Sequence, residues 1–89
     1  MNLDLIRQEI DQVDEKLMGL LEKRMSLVMQ VADYKRETGK AILDTTREKI
    51  ILSKVASCVD NKDFEETLVN TFADIMKNSR EYQASKLKR

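Results

Sequence analysis

Arg24 and Lys35 are the first residues whose types and spacing suggest chemistry. They lie eleven positions apart, and eleven residues make three helical turns with only about 20° of drift, so on one helix both cations point the same way. Arg24 also occupies a position where its neighbours three and four away, Leu20 and Leu27, are apolar. A guanidinium on an inward face is expensive unless it is paired or meets an anion. Arg7 is a third cation, 17 residues before Arg24, hence about 100° round the helix and about 25 Å along it. It cannot share a small site with Arg24 in one chain, but in a dimer of antiparallel long helices it could reach the partner's site. Ser79 and Gln83 continue the apolar stripe Phe64, Leu68, Phe72 and Ile75 with neutral hydrogen-bonding groups, and Glu48 follows Arg47 at the start of another helical segment. Each residue alone has a plainer reading. Arg24 can set register or snorkel, Lys35 can sit favourably at a helix C-terminus, Arg7 and Arg47 can be surface charges, Glu48 can cap a helix, and Ser79 and Gln83 can be fraying polar residues. Taken together on inward faces, they make a cationic pocket with one carboxylate, one amide and one hydroxyl. The chain has no His, so it lacks the commonest general base, the commonest zinc ligand and any Ser-His or Cys-His pair. Such a pocket suits a small dianion and can catalyse only by orientation and electrostatic stabilisation.

The elements that must position these groups are helical. Leu3, Ile6, Ile10, Val13, Leu17, Leu20, Arg24, Leu27, Val31 and Tyr34 are spaced alternately three and four apart, an unbroken seam on one helix face. A second stripe, Leu21, Met25, Val28 and Ala32, widens that face in the later half. This predicts one helix over about 3–38, with Asn2 as N-cap, Gly39 just past its end, and Gly19 inside without a break. Such a helix is roughly 54 Å long, whereas a compact chain of this size has a radius of gyration of only about 12 Å. The remaining residues cannot cover it all, and Leu3, Ile6, Ile10 and Val13 would face water without a second chain. An interlocked dimer is the simplest solution. The segment 36–44 is the first loop. Asp44 or Thr45 opens a second helix, where Thr45 and Glu48 match the capping-box spacing and Ile51, Leu52, Val55 and Val59 form the apolar face. Asp60-Asn61-Lys62-Asp63 is a turn, and a third helix runs from near Phe64 to about Ser85, with Phe64, Leu68, Phe72 and Ile75 inward. The basic tail Lys86 to Arg89 is expected to be frayed and solvated. Tyr34 and Tyr82 are expected at the rim or in the core, and Cys58 as a buried small apolar residue.

Composition agrees. Eighty-nine residues (1–89) make one domain. Pro is absent and Gly occurs twice, too few turn residues for a β-rich chain of this size, so the fold class is all-α. Sixteen basic and sixteen acidic residues give a formal net charge of zero, which argues against nucleic acid and gives no pull toward an anionic membrane. One cysteine excludes an internal disulfide. With no apolar run of spanning length and no leader pattern at Met1-Asn2-Leu3-Asp4, the expectation is a reduced, cytoplasmic protein without metal.

Several segments resemble the all-helical (AroQ-type) chorismate mutases. Leu5 to Asp14, LIRQEIDQVD, is similar to that family's opening. Leu20 to Arg24 (LLEKR) and Val31 to Lys35 (VADYK) are similar to its next two motifs, Asp44 to Glu48 (DTTRE) to its D-x-x-R-E segment, and Ser79 to Gln83 (SREYQ) to its closing S-x-x-x-Q. The ordered match spans nearly the whole chain. The resemblance implies an intertwined homodimer of three-helix protomers that rearranges chorismate to prephenate, in phenylalanine and tyrosine biosynthesis, without a cofactor. It further implies that Arg24 and the partner's Arg7 clamp the two carboxylates, and that Lys35 and Gln83 donate to the ether oxygen. Glu48 would accept from the ring hydroxyl, while Asp44, Arg47 and Ser79 line the pocket. Some members carry Glu where this chain has Gln83; a Glu must be protonated to donate, whereas the amide donates at any pH. Two other functions share these features: isochorismate-pyruvate lysis on the same fold, and a non-catalytic helical dimer module of a shikimate-pathway enzyme.

Overall fold

The computed structural model describes residues 2–87. The first helix, α1, runs Leu3–Thr38. Its N-cap is Asn2, whose side-chain oxygen accepts from the backbone N–H of Asp4 at 2.9 Å and of Leu5 at 3.3 Å, satisfying two donors that have no partner within the helix. It ends at Gly39, in the left-handed region at φ 71°, where a residue without Cβ is unstrained. The N–H groups of Gly39 and Lys40 both donate to the Lys35 carbonyl there. Gly19 leaves α1 unbroken.

Helix α2 runs Thr45–Cys58, with Asp44 as its N-cap. The Asp44 carboxylate accepts from the Arg47 N–H at 2.9 Å. The capping box expected from Thr45 and Glu48 is therefore not formed; the cap lies one residue earlier, and Glu48 is free for another partner. A short 3₁₀ turn, Lys62–Phe64, capped by Asn61, leads into α3, Glu65–Leu87. The third helix continues two residues beyond the expected end; Lys88 and Arg89 lie outside the described residues. No strand occurs among the described residues, and no described helix is long and apolar enough to cross a membrane.

Helix α3 is the common neighbour, packing on α2 and on the later half of α1. The interior is small: Ala32 and Met76 are its buried apolar residues, with Leu21, Met25, Val28 and Met29 of α1 half-buried. So α3 covers the second stripe of α1, not the main seam. From Leu3 to Leu20 only Ile6 is even half-buried, and Ile10, Val13 and Leu20 are 51%, 62% and 66% exposed. The molecule measures 54 × 25 × 15 Å with a radius of gyration of 16.1 Å, well above the roughly 12 Å of a compact chain this size. The first half of α1 projects beyond the bundle. Two further expectations are corrected. Cys58 is exposed rather than buried. On α3 the buried positions are Met76, Ser79 and Gln83, while Phe64 and Leu68 are exposed. Those two side chains instead line, with Phe72, Ile50 and Val55, an open groove of about 680 Å³ along α2 and α3. Tyr34 and Tyr82 are rim residues, over which Lys40 and Lys86 lie at 5.4 Å from the ring centres.

Candidate active site

A cavity of about 190 Å³ opens where the later half of α1 meets the start of α2 and the end of α3. It is below the roughly 300–1,000 Å³ of pockets for drug-sized ligands, so it has room only for a small molecule. The helices deliver its polar lining by register. From α1 come Arg24 and Lys35, eleven residues apart and on one side as their spacing requires. From the N-terminus of α2 come Asp44, Arg47 and Glu48; from α3 come Ser79, Arg80 and Gln83. Val31, Ile42, Ile51 and Met76 supply the apolar walls.

Seven of the eight residues singled out in the sequence thus converge on one cavity. Arg7 does not: it is exposed on the projecting half of α1. Arg80 is a lining residue whose type and position in the sequence do not announce it. The signal that finds it is spacing, since Met76, Arg80 and Gln83 step by four and three along one face of α3.

The hydrogen bonds fix the geometry. Arg24 Nη1 donates to Ser79 Oγ at 3.1 Å, and that hydroxyl also lies 2.9 Å from the Ile75 carbonyl oxygen. Lys35 Nζ donates to the Ile42 carbonyl at 2.7 Å, which anchors the loop between α1 and α2. Glu48 forms an ion pair with Arg80 across the α2–α3 interface. Gln83 is 6% exposed; its Nε2 donates to the Ser79 carbonyl at 3.3 Å, and its Oε1 has no hydrogen-bond partner among the described residues.

The electrostatics follow. Four cationic side chains and two carboxylates line the cavity, a formal excess of two positive charges. Asp44 is committed to the helix cap and Glu48 to Arg80. Arg24, Lys35 and Arg47 have no carboxylate partner among the described residues. Cations without a carboxylate partner round a part-buried cavity make it a candidate anion site. The unpartnered end of Gln83 is its amide oxygen, an acceptor, so presenting its N–H to an anion takes half a rotation of the amide. No group of three or more Cys, Asp and Glu side chains gathers among the described residues. The arrangement is able to hold a small dianion in one conformation and to present hydrogen-bond donors to it.

Comparison with known proteins bears on which dianion. The family model described as chorismate mutase type II matches residues 6–84. A chorismate mutase of Methanocaldococcus jannaschii is 29% identical over 79 residues, covering 88% of this chain and 80% of that protein. Two bifunctional chorismate mutase/prephenate dehydratases of Buchnera aphidicola, from Acyrthosiphon pisum and Schizaphis graminum, are 41% and 39% identical over 54 and 51 residues. Those matches cover 61% and 57% of this chain but only 14% and 13% of the Buchnera proteins. No solved structure matches.

Proposed function

The chain belongs to the chorismate mutase type II family, an isomerase family acting on chorismate, and from that premise we propose how its residues carry out the rearrangement to prephenate. Chorismate has two carboxylates, an ether oxygen and a ring hydroxyl. Within one molecule the ether C–O bond breaks as a C–C bond forms, so no outside atom, proton or electron is required. The protein's task is to hold the flexible dianion in its compact reactive shape and to stabilise the charge that moves onto the ether oxygen.

Arg24 binds one carboxylate, and Ser79, which accepts from Arg24, holds the guanidinium in place. Arg7 of the partner subunit binds the other. Lys35 and Gln83 donate to the ether oxygen. That oxygen is more negative in the transition state than in bound chorismate, so these two contacts strengthen as the reaction proceeds and raise kcat. Glu48 accepts from the ring hydroxyl, while Arg47 and Asp44 complete the rim. The observation that carries this reading is the cavity itself: Arg24, Lys35 and Arg47, none with a carboxylate partner among the described residues, gathered round one small space.

The homodimer belongs to the same proposal. The uncovered seam of α1 and the groove of about 680 Å³ on α2 and α3 are two apolar surfaces that one protomer leaves open. An antiparallel partner fills the groove with its own projecting half-helix and carries Arg7 to the cavity. Residues 1–89 then act as one domain, set in the cytoplasm.

The test is complementation. Arg7→Ala and Arg24→Ala homodimers are each expected to be nearly inactive on chorismate. Refolded together, half the dimers are mixed and each mixed dimer regains one intact site, so about a quarter of wild-type activity returns. No recovery from folded mixed dimers would sink the shared site. Assay of the wild type on isochorismate separates the lyase activity, and a folded dimer inactive on both substrates would point to a non-catalytic module.

A further inference from the structure

Glu48 is held by a residue for which the site so far has no use. Its own helix does not need it, because Asp44 has taken the cap. From α3, one guanidinium nitrogen of Arg80, Nη1, bridges both of its carboxylate oxygens. The pair is sheltered, with the Arg80 and Glu48 side chains 29% and 23% exposed. Arg80 follows Ser79, which accepts from Arg24, and precedes Gln83 by one turn. The helix register that sets those two contacts therefore also sets Arg80.

We propose that Arg80 is a positioning residue for the rearrangement: it fixes the Glu48 carboxylate in advance as the acceptor for the substrate's ring hydroxyl. This rests on the role given to Glu48 above. A carboxylate has about four lone-pair sites, and one bridging nitrogen leaves others for the hydroxyl. Free of Arg80, Glu48 regains its side-chain torsions and must be ordered again each time substrate binds. Arg80 also offsets the Glu48 charge, so that the carboxylate does not repel a dianion arriving in the same cavity.

The ring hydroxyl changes little between bound chorismate and transition state, so losing its oriented acceptor weakens both alike. That loss appears in KM rather than in kcat. Arg80→Gln is expected to raise KM for chorismate about 10-fold and to leave kcat within about 3-fold. In a Glu48→Ala background, where no acceptor remains to be positioned, Arg80→Gln should add less than about 2-fold. Arg80→Lys, which keeps the charge without the rigid fork, should fall between wild type and Arg80→Gln. Melting curves check that each variant is folded; if Arg80→Gln is not, Arg80→Lys carries the comparison in both backgrounds.

An unchanged KM in a folded Arg80→Gln enzyme overturns the proposal. So does an equal loss with and without Glu48, which would mean that Arg80 touches substrate itself, and so does a loss confined to kcat. Failure of the underlying function is told apart at the start, because the wild-type protein would then convert no chorismate.

Discussion

Replacing Gln83 with Met should make the protein more stable and far less active at once. Gln83 is 6% exposed, and its Oε1 meets no donor among the described residues. A buried acceptor left unsatisfied costs about 1–3 kcal/mol. Its one hydrogen bond, Nε2 to the Ser79 carbonyl, is long at 3.3 Å. It goes to an oxygen that also serves the helical i→i−4 bond, so little is lost with it. Met is unbranched and similar in length, and it adapts to irregular interiors. A net gain of about 1 kcal/mol is therefore expected, or about 4–8 °C in Tm for a domain of this size. Catalysis moves the other way. In the proposed mechanism the amide makes half a rotation when substrate binds, giving up the Ser79 contact and turning an N–H toward the developing charge on the ether oxygen. Removing one preorganised donor of this kind costs about 10²–10³ in kcat. The assay is loss of chorismate absorbance beside a thermal melt at matched dimer concentration. A folded Gln83→Met enzyme that keeps kcat within a few-fold would refute the donor role. A Tm lowered by several degrees would refute the account of Gln83 as an unsatisfied buried group.

Other outcomes follow from the same site. Lys35→Ala and Arg24→Ala should each lower kcat/KM at least about 10²–10³-fold while the helical circular dichroism is retained. Wild-type kcat should be flat through neutral pH, because the Gln83 amide donates at any pH. Gln83→Glu should turn this into activity that rises as pH falls, since the introduced carboxyl donates only when protonated; a flat profile for that variant would remove position 83 from the ether oxygen. Ile10→Glu and Val13→Glu together place two charges on the open seam of α1, and sedimentation should show loss of the dimer at micromolar concentration. If the species and the activity are unchanged, the seam is not the interface.

The long helix was the most legible feature, because ten seam positions keep one phase and both ends carry residues with a capping reason. The cationic pair Arg24 and Lys35 was legible for the same cause: spacing along a single helix converts directly to direction. What spacing within a helix cannot give is the rotation of one helix against another. Phe64 and Leu68 were therefore expected inside, whereas α3 turns Met76, Ser79 and Gln83 inward. The pair between Glu48 and Arg80 was hidden likewise, since 32 residues and the connection between α2 and α3 separate its members. Glu48 also satisfied the capping-box spacing, and the competing cap at Asp44, one residue earlier, won because its carboxylate reaches the Arg47 N–H. Cys58 shows the limit of residue type: a small thiol at the last turn of α2 lies on the open groove, not in the interior.

The half of α1 that stands clear of its own chain has a consequence for folding as well as for the proposed shared site. In the proposed dimer, a segment with no cover from its own chain gains little stability before a second chain arrives, so the completed fold would form in a bimolecular step. Refolding should slow in proportion to dilution, and no folded, waiting monomer should accumulate. The yield of working sites then rises faster than linearly with the amount of chain made. Chains produced sparsely spend longer as unfinished molecules with a bare apolar helix, open to proteolysis. If the proposed dimer forms, concentration itself becomes a control on this protein, set by eighteen residues that lie outside its own core.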